Sequence, residues 1–153
     1  MLTGMDTLIQ ILHVGTAVFI VGPMAIIPMT GLRALRAGNA AQVRTLATST
    51  MLFTWLSLLT FVFGFGAMSL APKDDHLSFT TPWILWGAIL YVIAFVLNAF
   101  VVVPQMRKAA GAMVATPDGS APARPAGYGA IAASNGIASL LLVVVVVLMI
   151  WKP

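Results

Sequence analysis

The chain has 153 residues, of which 60% are hydrophobic and only 8% charged, with a strongly positive mean hydropathy, and this composition excludes a water-soluble domain. It contains no cysteine, which excludes disulfides, thiolate catalysis and cysteine-bound metals. The formal charge of +4 sits in short segments beside apolar runs, where anionic headgroups account for it at about 1 kcal/mol per cation, so no nucleic-acid partner is expected.

The opening stretch MLTGMDTLIQ carries Asp6 and no basic residue. No small-residue cleavage pattern follows it, so Met1 is expected to remain and no signal peptide is read here. The first apolar run, Leu8 to Met29, continues into a helix expected over residues 8–36. It contains ILHVGTAVFIVGP, which places His13 in an uncharged run and Gly22-Pro23 as a kink. In LRALRAGNAAQVRT the first helix stops near Gly38, and Asn39 caps the second with Gln42 three residues on, an asparagine variant of the capping box. That second helix is expected over 40–71, with its apolar run from Ala47 to Ala71.

The next connection, PKDDHLSFTTPW, ends in Thr81 as N-cap and Pro82 at the first helical position, so the third helix is expected over 82–105. The long segment PQMRKAAGAMVATPDGSAPARPAG has too few large apolar residues to fold alone. The fourth helix is expected over 128–151. Each apolar run matches the roughly 20 residues that a membrane-crossing helix needs. Sustained apolarity, in place of ten-residue alternation, rules out a barrel. The expected fold is therefore all-α: one integral membrane domain over 1–153, built as a bundle of four transmembrane helices.

Orientation follows from the basic residues. Arg33, Arg36 and Arg44 lie in the first connection and Arg107, Lys108 and Arg124 in the third, whereas the second holds only Lys73 and the C-terminus only Lys152. The positive-inside rule places the first and third connections in the cytoplasm and both termini on the outer side. Trp83, Trp86 and Trp151 then mark the outer interface.

No Asp, Glu, Lys or Arg falls inside the four runs, so a proton relay, an ion-coupling site or a voltage sensor is not expected. The neutral polar residues are His13, Thr54, Ser57, Asn98, Asn135 and Ser139. Thr54, Asn98, Asn135 and Gly22-Pro23 all fall within roughly 7 to 11 Å of one membrane boundary at 1.5 Å per residue. The expectation is a hydrogen-bonded packing layer in which Asn98 and Asn135 approach each other or share a partner; the alternative is the lining of a ligand or quinone pocket. Helix 4 adds small residues, Gly129, Ala132, Ala133, Gly136 and Ser139, spaced for close helix packing.

His13 and His76 are the two histidines, and as a pair near one interface they could hold haem or copper. His76 stands in a connection beside two aspartates, and there is no intramembrane charge to steady haem propionates. His13 is therefore read as a neutral packing residue whose partner is a carbonyl or hydroxyl of a neighbouring helix or subunit. No cofactor is expected; haem on His13 is the alternative.

The opening LHVGTAVFIVGP resembles the first helix of several small bacterial membrane families. They are the copper-resistance D-like proteins, the membrane-bound protoporphyrinogen oxidases, and a predicted integral membrane family of unknown function. The last is the most similar, with four helices, an arginine-rich turn like GLRALRAGN and an end to helix 3 like NAFVVVPQMRK; the likeness spans about residues 8 to 108. In the haem-related families the equivalent of His13 is implied as a ligand, but the second intramembrane histidine or basic residue is absent here. The Ala-, Val- and Arg-rich composition is also similar in type to accessory subunits of the actinobacterial cytochrome bcc–cytochrome c oxidase supercomplex. That resemblance implies a non-catalytic subunit whose partners are other integral membrane subunits and phospholipids.

Overall fold

The computed structural model describes residues 4–70, 78–114 and 127–152. Four helices are long and apolar enough to cross a membrane: α1 (Gly4–Arg36), α2 (Ala40–Ser69), α3 (Pro82–Val114) and α4 (Tyr128–Trp151). No strand occurs among the described residues. Antiparallel contacts join α1 to α2, α2 to α3 and α3 to α4, and the second half of α1 also meets α4. The bundle thus has an arginine end, where α1 passes into α2, and a terminal end, where α1 begins and α4 finishes.

Local chemistry sets the boundaries. At the arginine end the turn is a Schellman motif: Asn39 N–H bonds Ala34 O at 3.1 Å and Gly38 N–H bonds Leu35 O at 3.1 Å, with Gly38 at φ +68°, a conformation that favours glycine. Asn39 Oδ1 then accepts from Gln42 N–H at 3.0 Å, so one residue ends the first helix and caps the second. Thr81 stands at the N-cap of α3 but does not cap it; its Oγ1 accepts from Ser78 N–H at 3.0 Å. Two helices outrun the expected spans. α1 begins at Gly4, not 8, and α3 runs to Val114, not 105, because Met106, Ala109 and Ala110 on its extension are buried against the hairpin.

The Gly22-Pro23 kink takes the form of a π-helical turn. Residues Ala17–Val21 are π-helical, closed by Gly22 N–H to Ala17 O. The same device recurs at Leu97–Val102, closed by Val103 N–H to Asn98 O. In both places the next residue is proline, Pro23 or Pro104. A proline ring lacks the N–H and crowds the carbonyl four residues back; the five-residue bond widens the helix and relieves that crowding.

The core is concentrated at the arginine end, where Leu35, Val43, Val102, Val103, Met106 and Ile131 are shut off together. A second cluster around Met24, Tyr91, Ala94, Ala138 and Leu142 lies at mid-depth. Glycines act as sockets here. A Cβ on Gly31 would collide with Met106 Cε, and one on Gly87 would stand 2.8 Å from Met149 Cε. A Cβ at Gly22 or Gly136, two of the expected packing residues, would meet nothing within 4 Å.

Candidate functional site

The inward face of α2 reads Thr50, Thr54, Ser57 and Thr60, spaced four, three and three, and all four are buried. Such hydroxyls are tolerated in hydrocarbon because a helix returns their protons to its own carbonyls. Thr50 Oγ1 donates to Leu46 O at 2.8 Å, Thr54 Oγ1 to Thr50 O at 2.7 Å, and Ser57 Oγ to Thr54 O at 2.6 Å. Since the single Ser57 proton is spent on that carbonyl, the Tyr91 hydroxyl is the donor in its 2.7 Å bond to Ser57 Oγ. That bond ties α2 to α3, and the Tyr91 ring stacks on Phe61 with centroids 5.0 Å apart.

Asn98 sits in the π turn of α3 with no exposed surface, and Asn135 on α4 is 1% exposed. Asn98 Nδ2 donates to Ala94 O at 3.2 Å. Asn98 Oδ1 and Asn135 Oδ1 are both buried without a partner, as is Thr60 Oγ1. The two amides therefore do not bond each other directly, since such a bond would use one of those oxygens. Ser139 Oγ donates to Ala25 O at 3.3 Å and links α4 to α1.

His13, in the first half of α1, lies with Nδ1 2.8 Å from Thr60 O on α2. A carbonyl only accepts, so Nδ1 carries the proton, and in the neutral ring Nε2 keeps the lone pair. Gly64 makes room for this: a Cβ there would stand 3.0 Å from His13 Cε1. Ile9, one turn before His13, packs on Gly66. His76 lies outside the described residues, and no group of three or more His, Cys, Asp or Glu gathers among those described.

Thr50, Thr60, Tyr91 and Gly64 are not among the residues expected from sequence. The four-three-three hydroxyl spacing on α2 was a legible signal for the first two. Gly64, four residues beyond Thr60, continues that stripe. Tyr91 has no signal of its own, since its role depends on the register of α3 against α2.

With that geometry in place, comparison with known proteins adds a family. The chain matches, over residues 7–153, the family described as predicted integral membrane protein (DUF2269), and belongs to it. No curated protein and no solved structure matches the chain.

Proposed function

We propose that this family member is a non-catalytic accessory subunit of a larger complex in a bacterial plasma membrane, acting by helix packing and loop contacts, with both termini on the outer side. The observation that carries the reading is the face of α1 between Gly4 and Pro23. No side chain there is buried, and Ile11 and Phe19 are 62% and 76% exposed. Gly4 and Gly15 have open space where a Cβ would stand, as does Gly22 beyond the π turn, and the spacing of eleven sets Gly4 and Gly15 on one helical stripe. A lipid tail gains little from a row of glycines, whereas another helix gains close backbone approach.

The specific assembly we propose is the respiratory cytochrome bcc–cytochrome c oxidase supercomplex; its support is the resemblance in size, composition and helix number. Extraction in mild detergent followed by mass spectrometry of co-purifying proteins tests both levels. Stoichiometric membrane partners that are lost in Gly15→Leu support the subunit reading, and cytochrome subunits among them support the assembly. Purification as a lone monomer overturns both. Orientation is tested by cysteines at Gly119 and Ser78: labelling of only the first by an impermeant thiol reagent in intact cells overturns it.

One observation favours the alternative of haem or metal binding. The Nδ1 proton of His13 is committed to Thr60 O, the arrangement that orients Nε2 of a ligating histidine. Among the described residues His13 can offer a single ligand. A Soret band in the purified protein that disappears in His13→Ala establishes this reading in place of the first.

A further inference from the structure

We propose that Asn98 and Asn135 share one bound hydroxylic donor, water or the hydroxyl of a small amphiphile, held between the π turn of α3 and α4. The site is separate from the α1 face and does not depend on the function proposed for it. The amide of Asn98 has one orientation that works: Nδ2 must face Ala94 O, which accepts at 3.2 Å, because turning the amide over would set two oxygens against each other. Oδ1 is thereby left to accept from elsewhere. It is shut off from the surface and no donor of the chain reaches it. The π turn that carries Asn98 packs against α4, the helix that carries the second buried carboxamide oxygen without a donor.

Two such acceptors on facing helices are unexpected by chance, since buried side-chain oxygens nearly always find a partner, and in hydrocarbon the alternative is an unsatisfied dipole. Both atoms lack the same thing, a hydrogen. A carboxamide oxygen accepts, so a second amide oxygen cannot satisfy it. A molecule with O–H donors can, and water has two protons to give, one to each oxygen. The π turn supplies the means on the protein side. Its five-residue bond, Val103 N–H to Asn98 O, widens the helix at the residue whose side chain needs a guest.

The protein holds three asparagines, Asn39, Asn98 and Asn135, so asparagine-specific 13C labelling in lipid bilayers gives three side-chain carbonyl signals, with Asn39 as the exposed reference. Magnetisation passing from a common hydroxyl proton to both Asn98 and Asn135 carbonyls supports the proposal. Transfer from exchanging water identifies the guest as water. Transfer from a non-exchanging hydroxyl, with a matching small molecule in the mass spectrum of the extract, identifies an amphiphile. Carbonyls of Asn98 and Asn135 reached by no hydroxyl proton overturn it. Asn98→Leu, Asn135→Leu and the double variant give an independent measure. A shared guest makes the two losses non-additive by about threefold to fifteenfold in the unfolding constant, the range of hydrogen bonds between transmembrane helices. Additive losses, or a gain in stability from either leucine, overturn the proposal.

Discussion

The arginine end and the terminal end of the bundle are made from the same helices, yet they are held together differently. At the arginine end Leu35, Val43, Val102 and Met106 are sealed, the connection between α1 and α2 is three residues long, 37–39, and Arg36 lies over the Tyr128 ring at 4.8 Å, joining α1 to α4. At the terminal end α1 buries nothing before Met24 and rests mainly on α2, through Ile9 on Gly66 and His13 on Gly64 and Thr60. There aromatic rings join α2 to the segment that leads into α3, with Phe65 between Phe61 and Phe79 at 4.5 and 5.0 Å. Lys152 over Trp83 at 5.8 Å ties α4 to α3.

The difference is instructive because hydrophobicity cannot be its cause. Both ends are apolar, and lipid receives an apolar side chain as readily as a protein core does. What distinguishes them is how many helices close around one side chain: at the arginine end residues of all four helices are shut off together, whereas at the terminal end the fits are pairwise, between one small residue and one large one. The terminal end keeps two such pairs, α1 on α2 at Gly64 and Gly66 and α3 on α4 at Gly87.

The comparison makes ordered predictions, all readable from unfolding midpoints in mixed detergent. Leu35→Ala is expected to cost about 2 to 4 kcal/mol through lost contacts and a residual cavity, while Ile11→Ala costs under about 0.5 kcal/mol; equal losses would break the comparison. Gly64→Val is expected to cost about 1 to 2 kcal/mol by forcing the imidazole off α2. The same substitution made in a His13→Ala background should cost far less, and a full cost there would show that the socket serves something other than His13.

Asn39→Ala should cost about 1 kcal/mol, the loss of a side-chain N-cap, and so show how far the arginine end depends on its turn. Ser57→Ala and Tyr91→Phe should each cost about 0.6 kcal/mol, with the double variant no worse than either alone, because they remove the same bond. The smallest effect is Gly136→Ala, which is expected to be neutral or to stabilise by less than about 1 kcal/mol, since it improves helix propensity and meets nothing. A clear loss there would mean that a molecule outside the chain fills the space.

Much of the candidate site was legible in the sequence as a set of residue types at particular depths. Thr54, Asn98 and Asn135 stand out as uncharged polar residues in apolar runs, and all three are buried. His13 reads as a packing residue, and its ring reaches a carbonyl of the neighbouring helix. The first π turn was half legible: Pro23 announces a disturbed helix, but whether the chain bends or widens depends on what the neighbouring helices allow.

The four helices, their order and the turn between the first two follow from sequence alone, because they rest on local physics: about 20 apolar residues fill the bilayer, Gly38 and Asn39 turn the chain within a few residues, and proline starts α3. Tertiary structure decided which faces of those helices are used. In a chain this uniformly apolar there is no polar-to-apolar stripe to point inward, so helix rotation and register are set by shape, by Met106 entering at Gly31, by His13 lying on Gly64 and by Tyr91 reaching Ser57. Those fits exist only between residues far apart in the chain. No window along the sequence contains both partners, and so the extra nine residues of α3, the open glycines of α1 and the two carboxamide oxygens left without donors emerged only from the folded bundle.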